Sequence, residues 1–152
     1  MPLFARQDKA YWNFQNILTS LLNQSSNMAF TKISVETLVS ANTEKVWNCF
    51  TKPEHIVKWN FASDDWHCPK ASNDLRAGGK FSSTMASKDG KMSFDFEGVY
   101  SEVKPQKHLA YGLADGRTVQ VDFITERNQT RVVETFDAET ENPLDMQKAG
   151  WQ

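Results

Sequence analysis

Cysteine is scarce in this chain of 152 residues, with only Cys49 and Cys68 present. Two thiols do not make a disulfide framework, and their spacing matches no metal-binding pattern, so a reduced, cytoplasmic setting is expected and no metal or other cofactor is implied. Long apolar runs are missing as well. None approaches the ~20 residues needed to cross a bilayer, which excludes a membrane-spanning helix. Charge of one sign is not concentrated anywhere: 17 basic and 19 acidic residues are mixed along the sequence for a formal charge of -2. Without a basic block to neutralise a row of phosphates, nucleic acid is excluded as a partner. Histidine occurs three times. His67 is adjacent to Cys68, and neighbours on a strand point to opposite faces, so the two do not share a metal ion. Cys49 lies among Val46, Trp47 and Phe50 with no histidine close in sequence, the setting of a packed thiol rather than an activated one. His55 and His108 read as surface residues near the starts of elements.

What is present suits one domain of ordinary size. Near the N-terminus, Tyr11, Phe14, Leu18, Leu21 and Leu22 recur as one stripe of an amphipathic helix over about 8 to 23. Polar residues interrupt that stretch and no small-residue cleavage site follows, so it is not a secretion signal. The polar run Asn23 to Asn27 then acts as a hinge. This divides the chain into an N-terminal helix and hinge, 1–27, and a main domain, 28–152.

The main domain begins with an alternating strand at about 31 to 39. Asn42 or Thr43 can cap a helix carrying Val46, Trp47 and Phe50, and a second short helix starts at Pro53, where a missing N–H costs nothing. Six further strands are expected at about 65 to 76, 79 to 87, 91 to 104, 107 to 114, 116 to 127 and 130 to 138. Turn signals at Ala77-Gly78-Gly79, Asp89-Gly90, Pro105 and Asn128-Gln129 separate them. In the 91 to 103 run, Met92, Phe94, Phe96, Gly98 and Tyr100 share one face, while Ser93, Asp95, Glu97 and Val99 take the other. Consecutive strands of this kind form an antiparallel meander, and glycine at 78, 79 and 98 curves it. A last helix over 142 to 152 has Asn142 as its N-cap, Pro143 in the first turn and Asp145 facing the helix dipole.

Two stretches carry a family resemblance: PEHIVKWNFASDDWHCP from Pro53 to Pro69 and NDLRAGGKF from Asn73 to Phe81. They closely resemble the heat-shock-protein-90 ATPase activator homologue family, the AHSA-like branch of the START-related SRPBCC superfamily, and the likeness continues from about Thr31 to Gln152. The resemblance implies an α+β helix-grip fold, in which a curved antiparallel sheet wraps a long helix, with two short helices between the first two strands. In that family the long C-terminal helix covers the concave face of the sheet, and only about eleven residues of it are present here. Lys9 to Asn13 reads KAYWN and Lys148 to Gln152 reads KAGWQ, so residues 8 to 23 are candidates to supply the gripping helix, within one chain or by exchange in a homodimer.

A sheet gripped in this way encloses an apolar cavity. The residues expected to line it are Phe94, Phe96, Tyr100, Tyr111, Val121, Phe123, Val132 and Phe136, with Trp47 and Trp59 at one end. Glu134 has two readings. On the face of Val132 and Phe136 it projects into the cavity with a raised pKa; with Val133 and Thr135 inward it is solvated. Trp59, Phe61 and Trp66 either frame the mouth of a pocket or wedge the short helices onto the sheet edge, while Asp64 and Asp65 hold their loop. The glycines of LRAGGKF form a turn, since strand residues rather than a helix follow them. The leading function is binding or carriage of a small hydrophobic or aromatic molecule, with no catalytic set evident. Two alternatives stand beside it: a cyclase- or hydrolase-like enzyme, for which Glu134, Tyr111 and His67 are the nominated polar groups, and a partner of heat-shock-protein-90.

Overall fold

In the computed structural model, the structure describes residues 29–61 and 63–151. The expected helix over 8 to 23 and the hinge after it lie outside the described residues.

Seven antiparallel strands form one sheet in the order β1-β7-β6-β5-β4-β3-β2. They are β1 (Lys32–Val39), β2 (Trp66–Asn73), β3 (Lys80–Ser87), β4 (Ser93–Lys104), β5 (His108–Gly112), β6 (Thr118–Glu126) and β7 (Gln129–Asp137). The first strand pairs with the last, and the rest follow as a meander, as the run of strand and turn signals requires. The sheet curls, so that one face becomes an interior. Three helices are described: α1 (Thr43–Thr51), α2 (Pro53–Trp59) and α3 (Leu144–Trp151).

The residue Lys52 explains why two short helices replace one long one. A residue before proline is pushed out of the helical region, and Lys52 is extended at φ -82°, ψ 128°. It closes α1 and opens α2. At the other end of α1, the side chain of Asn42 accepts from the Lys45 N–H at 2.9 Å, one of the two caps expected there.

Hairpin chemistry accounts for the order of the strands. Gly78, Gly90 and Gly116 take positive φ at the β2–β3, β3–β4 and β5–β6 turns. At Gly79 an added Cβ would lie 1.9 Å from the Asp74 carbonyl oxygen, so this backbone closes on itself as a tight turn. The β6–β7 turn differs by one residue from expectation. Glu126 pairs directly with Gln129, which leaves Arg127 and Asn128 as the two loop residues, and Arg127 adopts φ 56°.

Inward residues form rows across the sheet. One row runs Tyr100, Tyr111, Val119, Phe136 and Ile33; the next runs Leu109, Val121, Glu134 and Val35. Val121 is fully buried, and Leu109, Val119 and Phe136 are 1% exposed; each such side chain contributes about 1.5–3 kcal/mol by leaving water. Trp47 and Phe50 of α1 meet Phe123 edge-on at 5.2 and 5.3 Å. Trp151 of α3 stacks on Phe136 at 4.1 Å.

The last helix departs from the expected details. The carbonyl of Pro143 receives the first helical N–H bonds, from Met146 and Gln147 at 3.1 Å. Asn142 instead bonds the Glu139 carboxylate through its side chain, so it belongs to the preceding loop. The long helix of the expected grip is not among the described elements; α3 has eight residues. No described helix is long and apolar enough to cross a membrane.

Candidate functional site

The inward face has a closed half and a half-open half. Over β6 and β7 it is covered by α1, and over β1 by α3. Toward β2, β3 and β4, the rings of Trp66, Phe81, Phe94 and Phe96 are only half-buried. Phe81 stands between the two halves. Its ring lies 4.8 Å from Tyr111, 5.3 Å from Tyr100 and 5.8 Å from Phe96. Gly98, paired with Phe81 across the strands, makes that position available: a Cβ there would lie 2.5 Å from the Phe81 ring.

Behind Phe81 is a buried polar line. Asn73 Nδ2 donates to the Thr51 carbonyl at 2.6 Å and to the hydroxyl oxygen of Tyr100. The Tyr100 and Tyr111 rings meet edge-on with centroids 6.2 Å apart. The Tyr111 hydroxyl in turn donates to the carboxyl group of Glu134. Glu134 is 2% exposed, between Val121 and Val35 on the adjoining strands. Its Oε2 has no hydrogen-bond partner, and neither has Asn73 Oδ1. Each unpaired buried polar atom costs about 1–3 kcal/mol, so their presence here calls for a reason.

The electrostatics follow from burial. Desolvation pushes the Glu134 carboxyl up to about 8, and the hydrogen bond from Tyr111 only partly offsets it. Tyr111 is raised well above the ordinary tyrosine range by burial and by the Glu134 charge. Burial likewise pushes Tyr100 up to about 12, against the hydrogen bond from Asn73. Near neutral pH all three therefore keep their protons.

Of the residues expected at a ligand site, Tyr100, Tyr111, Val121, Phe123, Val132, Glu134 and Phe136 are brought together on the inward face, with Trp47 above Phe123. Between the two readings of Glu134, the inward one holds. Phe94 and Phe96 belong to the half-open part. Trp59 is a wedge: its indole N–H donates to the Cys49 carbonyl at 2.9 Å, and its ring packs on Phe50. Trp66 contacts Phe94 at 5.9 Å. Asp64 and Asp65 are exposed; Ser63 donates to the Asp65 side chain, and Lys88 N–H to its carbonyl at 2.8 Å.

Of the other nominated groups, His67 has a buried, unpartnered Nδ1, and the Cys68 thiol points to the Lys70 carbonyl at 3.4 Å. His108 corrects the surface reading. Its side chain is 18% exposed, with Nδ1 2.7 Å from Asp122 and Nε2 3.3 Å from Glu102. Among the described residues, no three His, Cys, Asp or Glu side chains group as a metal site would need.

Asn73, Phe81 and Thr51 were not anticipated as part of this arrangement. A signal existed for Phe81 alone: a lone glycine among large inward residues of β4 marks the place where a ring from the next strand lies across the backbone.

Comparison with known proteins places this geometry in context. The model of a family described as Activator of Hsp90 ATPase homolog 1-like protein matches residues 40–152. The solution structure of an AHSA1-like protein from Aeromonas hydrophila is 43% identical, with 80% of this chain and 85% of that one covered and a TM-score of 0.77. Chr148 from Cytophaga hutchinsonii is 51% identical over 80% of this chain and 84% of its own, at a TM-score of 0.72. CV1439 from Chromobacterium violaceum, 20% identical over 80% and 90% at a TM-score of 0.69, shares the fold. No curated protein matches the chain.

Proposed function

This chain belongs to the Activator of Hsp90 ATPase homolog 1-like family, and from that premise we propose that it binds a small, largely apolar molecule on the inward face of a helix-grip domain. The observation that carries the reading is the half-open aromatic zone around Phe81, Phe94 and Phe96 leading to buried polar atoms without partners. Flat rings offer area and shape to an aromatic guest, and a few placed polar atoms orient it. A catalytic role would require several polar groups converging on one reacting atom; among the described residues the inward polar line pairs Asn73 with Tyr100 and Tyr111 with Glu134 as two separate contacts, which supports reading it as a binder.

The membership also supports a second reading, docking to a heat-shock-protein-90 chaperone, which calorimetry with the purified chaperone tests directly. For the ligand reading, native mass spectrometry of protein taken from its own host is expected to reveal a retained small molecule that is lost on denaturation. Titration with the neutral fluorophore N-phenyl-1-naphthylamine is expected to saturate, and Phe96→Ala to weaken it. Absence of both a retained mass and saturable uptake would sink the reading.

A further inference from the structure

We infer that Glu134 acts as a neutral hydrogen-bond donor, and that the molecule bound here is an apolar ring system carrying a carbonyl oxygen that docks on the Glu134 Oε2 proton. The inference deepens the proposed ligand-binding reading and rests on it.

The argument starts from the surroundings of the carboxyl group. Val121 on β6 and Val35 on β1 flank it across the strands. The titratable groups that face it are Tyr111 on β5 and, behind that ring, Tyr100 on β4. From α1 and α3, Val46, Trp47 and Trp151 reach the same core, and none carries charge. Among the described residues, no lysine or arginine is paired with it, so none of them stabilises a carboxylate there. A carboxyl group so placed keeps its proton. Tyr111 is the hydrogen-bonding neighbour of the carboxyl group. Oε2 is buried and has no partner, so the proton free to donate is assigned to that oxygen.

A buried, unsatisfied O–H selects its guest by chemistry. A ketone or amide oxygen can accept from it; a carboxylate or phosphate would add negative charge beside an acid with no compensating cation. A hydrocarbon would leave the donor orphaned. Fatty acids and phosphorylated metabolites are thereby disfavoured, and neutral aromatic or alicyclic ketones are favoured. Access runs past Phe81, whose half-buried ring is the part of the aromatic cluster that separates the half-open zone from Tyr111.

The test uses two probes of matched shape, 2-acetylnaphthalene and 2-isopropylnaphthalene, with affinities measured by intrinsic tryptophan quenching at pH 6 and pH 9. Wild type is expected to prefer the ketone by about tenfold at pH 6. The preference should shrink severalfold at pH 9, where the acid loses its proton. Glu134→Gln keeps an N–H donor but cannot titrate, so its preference should persist equally at both pH values. Glu134→Leu removes the donor and should bind the two probes alike.

The outcomes separate cleanly. If both probes bind wild type equally at pH 6, or if Glu134→Leu keeps the preference, the donor assignment is overturned while the ligand-binding reading stands. A wild-type preference unchanged at pH 9 overturns the role of the titrating proton. If neither probe binds any variant, the inference and the reading beneath it fall together.

Discussion

Replacing Glu134 with glutamine should remove a large part of the pH dependence of stability between pH 5 and pH 9. In the folded protein the carboxyl titrates at about 8 instead of the ordinary 4.5. Between those values the native state holds a proton that the unfolded chain has released, so the contribution of Glu134 declines as pH rises through this window. It is most favourable below the unfolded value and flat above the folded one. The full span corresponds to about 5 kcal/mol, of which about 4 kcal/mol falls between pH 5 and pH 9. The group is buried against apolar neighbours, so solvent does not screen this effect. Other groups titrate alike in both proteins and cancel from the difference. Urea unfolding of wild type and Glu134→Gln, followed by tryptophan fluorescence across that range, should give curves that diverge steadily, with the glutamine variant gaining relative to wild type. Parallel curves would refute the claim that an isolated acid sits in this core.

Three other expectations concern parts of the fold that hold the site in shape. Gly98→Ala places a methyl 2.5 Å from the Phe81 ring and 3.0 Å from the Gly112 carbonyl oxygen; it should cost about 1–3 kcal/mol in thermal or urea unfolding. In a Phe81→Ala background the same change should cost less than about 1 kcal/mol, and additive effects would show that the ring is not what the glycine accommodates. Arg127→Gly relieves a left-handed residue at φ 56° and should stabilise by up to about 1 kcal/mol, a gain visible as a raised Tm. Gln147 is 2% exposed and bonds the Glu139 N–H at 2.9 Å and the Glu139 and Asn142 carbonyls at 3.1 and 2.7 Å. Gln147→Ala should cost about 1–3 kcal/mol and speed amide exchange at Glu139, whereas unchanged protection there would argue against its anchoring role.

The architecture was legible because its signals are local. Alternation in β4 named both faces correctly, glycine and proline marked the turns, and Pro53 divided the two helices at Lys52. Readings stayed open, or failed, where the deciding contact is one that spacing along the chain does not reveal. The β7 sequence TRVVETFD offers an apolar residue on either face, and only pairing with Val121 and Val35 settles that Glu134 points inward. His108 reads as a surface residue because Glu102 and Asp122, which enclose it, come from the neighbouring strands. Asn73 ends β2 as the strand expected over 65 to 76 implies, but its side-chain bond to the Thr51 carbonyl, 22 residues away, has no local signal. Asn142 resembles a cap by type and position. The Glu139 carboxylate competes successfully for its side chain, a contest that spacing alone does not reveal.

These particulars explain why the two halves of the interior differ. α1 packs over β6 and β7 and α3 over β1, and the inward residues there reach near-complete burial. α2 packs on β2, and on β3 and β4 the rings of Phe81, Phe94 and Phe96 stay half-buried beside the buried Met85 and Tyr100. If the interior were only a core, Glu134 would be a poor choice, since leucine would fill its place without an orphaned oxygen. A carboxyl group set one ring behind the half-buried aromatic zone is costly to folding, and under the proposed ligand-binding reading a guest that satisfies its oxygen would offset that cost. On that proposal the acid, rather than the surrounding rings, would set selectivity: rings accept any flat apolar surface, whereas one buried proton would discriminate among them.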